Sequence, residues 1–141
     1  MARQILSTGR QSFRDLRKAN CIYVDKTQLL YTLVTQGKMY FLSRPRRFGK
    51  SLIVSTLAEL FKGSHELFMG TWIEDQWDWT QKSPIIHISF SKVAYKNQSL
   101  EEGIRQLLLK LFKDNKLEAK EETDIGLLFA NLIQQLHDKH G

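Results

Sequence analysis

The run Arg44-Pro45-Arg46-Arg47-Phe48-Gly49-Lys50-Ser51 holds the residues of this chain best suited to chemistry, and it ends in Gly-Lys-Ser. Glycine permits a backbone turn closed to other residues, lysine carries a mobile positive charge, and a serine hydroxyl can ligate a hard cation. At the start of a helix such a turn gathers main-chain N–H groups around an anion, and the helix adds about half a positive charge. This is the chemistry of a phosphate-binding loop. Lys50 would reach the β- and γ-phosphates of a nucleoside triphosphate, and Ser51 would hold Mg²⁺. The general pattern also expects glycine at position 44, where this chain has Arg44. The competing reading is an ordinary basic helix cap in which Gly49 serves only the turn.

The elements around the loop fit the first reading. Residues 38–43 read as a short buried strand leading in, and residues 52–62 carry Leu52, Ile53, Thr56, Leu57, Leu60 and Phe61 at helical spacing. Upstream, Ser12 caps a short helix over residues 12–20, and Asp25 caps a second from Lys26 to about Gln36, with Gly37 following. Residues 84–90 read as a second strand, with His87 as a structural histidine within it. Ser99 and Glu102 form a capping box before a helical stripe through Phe112, and a further stripe runs from Ile125 to Leu136. The charged stretch 113–123 between them reads as a solvated linker. Trp72, Trp77 and Trp79 stand among Glu74, Asp75 and Asp78, which favours packing over stacking on bases.

Composition narrows the class. With 141 residues, 42% hydrophobic and 26% charged, the chain is expected to form a single globular domain. Its apolar runs are too short to cross a bilayer and its N-terminus lacks the apolar core of a signal peptide, so a cytoplasmic location is expected. The one cysteine, Cys21, excludes an internal disulfide and reads as a core residue. A net charge of +6 admits a nucleic-acid partner, yet the positive residues are concentrated only at Arg44, Arg46 and Arg47. That triplet would serve a triphosphate or a nucleic-acid backbone.

One expected partner of the loop is missing. A phosphate-loop ATPase needs an apolar strand ending in an acid to hold Mg²⁺ and orient water. Ile22-Tyr23-Val24-Asp25 precedes the loop, and Trp72-Ile73-Glu74-Asp75 is short and Trp-rich, so neither fills that role. Two strands are also few for a parallel sheet.

From Phe13 onward the chain resembles the N-terminal half of the AAA-ATPase-like domain family, whose members usually carry a PD-(D/E)XK nuclease-like domain further along. The resemblance rests on Phe13-Arg14-Asp15-Leu16-Arg17, Tyr23-Val24-Asp25-Lys26-Thr27, Tyr40 through Ser51, and Ile85 through Phe90. The family's loop begins Arg-Pro-Arg-Arg, which accounts for Arg44. The resemblance implies a three-layer α/β fold of the P-loop type with a parallel sheet, phosphate and Mg²⁺ residues at Gly49, Lys50 and Ser51, and Tyr23-Val24-Asp25-Lys26 lying across the adenine. It also implies that the acidic strand and the strands between would follow Gly141, so that residues 1–141 are expected to be part of a longer ATPase domain. The expected function is therefore ATP–Mg²⁺ binding through residues 44–51 with little hydrolysis by these residues alone. Any nucleic acid would be engaged by the downstream part. The alternatives are a nucleic-acid-binding module using Arg44, Arg46 and Arg47, and a remnant without function.

Overall fold

The computed structural model describes residues 5–6, 9–90, 99–119 and 124–140. Five α-helices carry the architecture: α1 (Phe13–Lys18), α2 (Thr27–Gln36), α3 (Lys50–Phe61), α4 (Leu100–Asp114) and α5 (Ile125–His140), with short 3-10 turns at His65–Leu67 and Trp72–Asp75. They divide into two compact units, residues 1–85 and 86–141.

In the first unit α1 packs on α3. Ser12 caps α1 by accepting the Asp15 N–H at 3.4 Å, and Phe13 and Leu16 turn inward from it. Phe13, Leu60, Leu67, Phe68 and Ile73 form the core, with Tyr23, Tyr31, Leu52, Trp77 and Trp79 packed around them. The Phe13 ring lies 5.1 Å from Tyr23 and 4.8 Å from Phe68, and Trp79 lies 5.1 Å from Phe68. Two of the three tryptophans are thus core-packing residues, as their acidic neighbours suggested; Trp72 is 41% exposed beside Tyr31. Gly63 ends α3 at φ +71°, where any Cβ would press on Lys82 at 3.1 Å.

The family-like stretches 13–17 and 23–27 are anchors of this unit. Arg17 donates to the carbonyls of Leu67, at 2.7 Å, and of Met69. Asp25 accepts from the Thr27 N–H and hydroxyl at 2.8 and 2.7 Å, and from the Trp72 N–H at 2.7 Å. Buried Thr27 in turn accepts the Ile73 N–H at 3.2 Å. The start of α2 is thereby tied to the 72–75 turn.

The second unit is a helix pair. Ser99 caps α4 by accepting the Glu102 N–H at 3.2 Å, and Leu108, Phe112, Leu128, Leu132 and Leu136 close the core between α4 and α5. Gln135 and Lys139 on α5 donate to the carbonyls of Glu118 and Asn115, at 2.8 and 2.7 Å. Of the charged stretch 113–123, the first two residues belong to α4 and residues 120–123 lie outside the described residues. No helix among the described residues is long and apolar enough to cross a membrane.

The expected three-layer α/β fold is not seen. The described residues contain no strand and no sheet, only an isolated parallel bridge between Ile5 and Cys21. Residues 39–43 and 84–89 are coil rather than strand, and the first segment is exposed rather than buried, with Met39 92% and Phe41 94% accessible. A strand exists only when another backbone lies about 4.8 Å away to take its N–H and C=O groups. Neither run forms such a ladder with another described segment, so their β-favouring residues do not become strands.

Candidate functional site

The loop is shaped by two left-handed residues. The Phe48 N–H donates to the Pro45 carbonyl at 3.4 Å, closing a turn, and Arg47 (φ +67°) and Gly49 (φ +77°) flank Phe48. For arginine this region is disfavoured, whereas glycine enters it freely. A Cβ at Gly49 would meet nothing within 4 Å, so position 49 needs glycine for its backbone angle and not for space. The reversal makes Gly49 the N-terminal cap of α3 and Lys50 its first residue. No side chain caps this end, which leaves the first-turn N–H groups facing outward.

Lys50 folds back so that its ammonium donates to the Arg44 carbonyl across the turn. Ser51 follows on the exposed face of α3, and its hydroxyl has no hydrogen-bond partner among the described residues. One turn further on, Ser55 accepts the Phe13 N–H at 2.9 Å and donates to the Leu52 and Gln11 carbonyls, at 2.9 and 3.4 Å. These bonds hold residues 11–13 against α3 beside the loop.

Two clefts open here, and Leu16, Gly49 and Leu52 line both. The first, about 650 Å³, is lined also by Arg10, Gln11, Arg47, Lys50 and Ser51. It is the cationic side. The second, about 230 Å³, is mainly apolar and is bounded by Ile22, Tyr23, Val24, Lys26, Leu30, Arg44, Phe48, Ile53 and Thr56. Its floor is built by Thr56, whose hydroxyl donates to the Leu52 carbonyl at 2.8 Å. Burial pushes the Tyr23 phenol above its ordinary value, and the Asp25 carboxylate pushes it the same way, so Tyr23 is neutral.

The structure therefore brings Tyr23, Val24 and Lys26 to the same cleft as Arg44, Phe48 and Gly49, and it places Arg47, Lys50 and Ser51 in the neighbouring one. Pro45 and Arg46 line neither. Asp25 lines neither as well, because its carboxylate is engaged with Thr27 and Trp72. Burial would raise that carboxyl, but the three hydrogen bonds and the charge of Arg17 hold it below the ordinary aspartate value. Sequence reasoning had not placed Arg10, Gln11, Leu16, Leu30 or Thr56 here. Thr56 reads as a plain helix-face residue, and Arg10 lies in no motif. Only the fold joins residues 9–11 to residue 51.

Comparison with known proteins agrees with the family resemblance. The AAA-ATPase-like family, described as predicted AAA-ATPase, matches residues 7–141. An uncharacterized protein in the vnfD 5′ region of Azotobacter chroococcum mcd 1 is 42% identical over 144 residues, a match covering 100% of this chain. The chain spans 28% of that relative's length. No solved structure matches.

Proposed function

The chain belongs to the predicted AAA-ATPase family, and from that premise we propose that it binds ATP with Mg²⁺ through residues 44–51. The observation that carries the proposal is the junction at Gly49–Lys50–Ser51, with a cationic cleft on one side and an apolar one on the other. A nucleotide has the same division, an anionic chain joined to an apolar base. In this reading the phosphates lie over the open end of α3, where main-chain N–H groups and the helix charge favour anions. The Lys50 ammonium exchanges its bond to the Arg44 carbonyl for a phosphate oxygen, a stronger acceptor because it is charged. Arg47 lines the same cleft and adds a second cation.

Mg²⁺ fits the residues present. The Ser51 hydroxyl lines the cationic cleft with no other partner among the described residues, and a hard cation takes oxygen ligands of this kind. Bound there, Mg²⁺ would neutralise β- and γ-phosphate charge. The base side is supplied by Ile22, Tyr23, Val24, Leu30 and Ile53, with the neutral Tyr23 phenol against Thr56. Neither cleft is lined by a carboxylate among the described residues, so the proposal is one of binding and does not extend to hydrolysis.

Removing the Lys50 ammonium tests it directly. Lys50→Ala is expected to weaken Mg–ATP binding by about 10- to 100-fold, the equivalent of about 1.5–3 kcal/mol for a charge-assisted bond. Calorimetric titration of both proteins, with melting curves to establish folding, reads the difference. Equal affinities would sink the assignment. A nucleic-acid interface built on Arg44, Arg46 and Arg47 would instead give oligonucleotide binding that weakens steeply with salt and is unmoved by millimolar Mg–ATP.

A further inference from the structure

Arg10 stands forty residues from Lys50 in the chain and lines the same cationic cleft. Three bonds bring it there. The Phe13 N–H and Gln11 carbonyl are held by the Ser55 hydroxyl of α3, and the Arg10 Nη1 donates to the Asp15 carbonyl at 3.3 Å. That is the only hydrogen bond of the Arg10 side chain among the described residues, and the guanidinium is exposed. A guanidinium has five N–H donors in a planar fork, so most of its donors are unused. Arg14 and Arg17, by contrast, bond to Glu59 and to the carbonyls of Leu67 and Met69.

We propose that Arg10 is a phosphate-binding residue of the site, a guanidinium supplied from outside the loop that engages the polyphosphate together with Lys50 and Arg47. The inference rests on the nucleotide reading above and adds to it a residue that neither the loop motif nor the family match assigns. Its physical basis is the convergence of three cations from two separate segments on one cleft of about 650 Å³ that no described carboxylate lines. A guanidinium fork matches phosphate oxygens two at a time, which a lysine cannot do.

The test compares ATP with adenosine, each titrated calorimetrically in the presence of Mg²⁺. Adenosine occupies the apolar cleft alone. Arg10→Gln is expected to weaken ATP at least about fivefold, less than the full effect of a charge-assisted bond because the position is exposed, and to leave adenosine unchanged. Arg10→Lys restores the charge but not the fork and is expected to recover part of the loss. Because Arg10 is exposed, Arg10→Gln should melt with the wild type; Arg10→Met is the second truncation if it does not. An ATP affinity within twofold of wild type in the truncations, while Lys50→Ala is impaired, overturns the role of Arg10 and leaves the nucleotide reading intact. An equal loss for ATP and adenosine, or no recovery in Arg10→Lys, shows a structural role and also overturns it. If Lys50→Ala binds ATP as the wild type does, the nucleotide reading fails and the proposal with it.

Discussion

Arg14 directs its guanidinium at Glu59, with Nε 3.1 Å from Oε1 and Nη2 2.5 Å from Oε2, and the Ser64 hydroxyl donates to the same carboxylate at 2.7 Å. Glu59 is 8% exposed, so its charge is stable only while those donors are present. Burial alone would raise its carboxyl; the bonds from Arg14 and Ser64 outweigh burial and hold it below the ordinary 4.5. A carboxyl with a depressed folded value binds protons more weakly when folded than when unfolded. Its stabilisation is therefore complete above the unfolded value near 4.5 and is lost as pH falls through the folded value. Glu59→Gln should cost about 1–2 kcal/mol at neutral pH, below the full figure for a buried pair because the Arg14 side chain is 38% exposed. Urea unfolding of both proteins at neutral pH and at about pH 3 checks this, because the gap should shrink as Glu59 is protonated. A gap that stayed constant across that range would mean that the ion pair adds no stability.

Asp25 acts at the scale of elements, since its carboxylate joins the start of α2 to the 72–75 turn. Asp25→Ala would leave the Trp72 N–H without its acceptor and release both hydrogen bonds from Thr27, at a cost of about 1–3 kcal/mol. Amide exchange at Trp72 and Ile73 should accelerate more than exchange along α3, and uniform acceleration would contradict this local role. Such ties explain what could be read from the sequence. The five helices follow from signals carried within each segment: Ser12 and Ser99 as caps, and apolar residues three and four apart on α3, α4 and α5. The loop was legible for the same reason, because Gly-Lys-Ser at a helix start is a local pattern. Met39 through Ser43 misled because strand pairing depends on a distant partner, and apolar residues of strand-like composition do not reveal whether one is present. Asp25 misled in a related way. The N-cap position of α2 is Lys26 rather than Asp25; the bonds of Asp25 to Thr27 are local, but its bond to Trp72, forty-seven residues away, was not legible, and that bond takes it out of the cleft. Arg10 was missed for the same reason, since only the Ser55 contacts bring its segment to the loop.

At the scale of the molecule, all of the first core's residues fall between Phe13 and Trp79, and all of the second's between Ile86 and Leu136. The chain therefore builds two separate apolar centres. Each depends on a few fully buried side chains, Phe13, Leu60, Phe68 and Ile73 in one and Leu108, Phe112, Leu128 and Leu132 in the other. The three tryptophans, Trp72, Trp77 and Trp79, all lie in the first unit, whereas α4 and α5 contribute 31 of the residues that give the helical circular-dichroism signal. Tryptophan emission thus reports the first unit, whereas ellipticity reports both, because α1, α2 and α3 add 6, 10 and 12 helical residues. Leu132 is fully buried between α4 and α5, and truncating it leaves a cavity whose cost for leucine is about 2–5 kcal/mol. Distant sites without shared partners add independently, so the loss should fall on the second core. In Leu132→Ala, the share of helical ellipticity that α4 and α5 contribute is expected to decline at a lower temperature or denaturant concentration than in the wild type, while the tryptophan emission transition stays in place. Mg–ATP affinity should also be unchanged, because every residue lining the two clefts belongs to residues 9–56. A tryptophan transition that moved together with the ellipticity would show that the two cores unfold as one cooperative body.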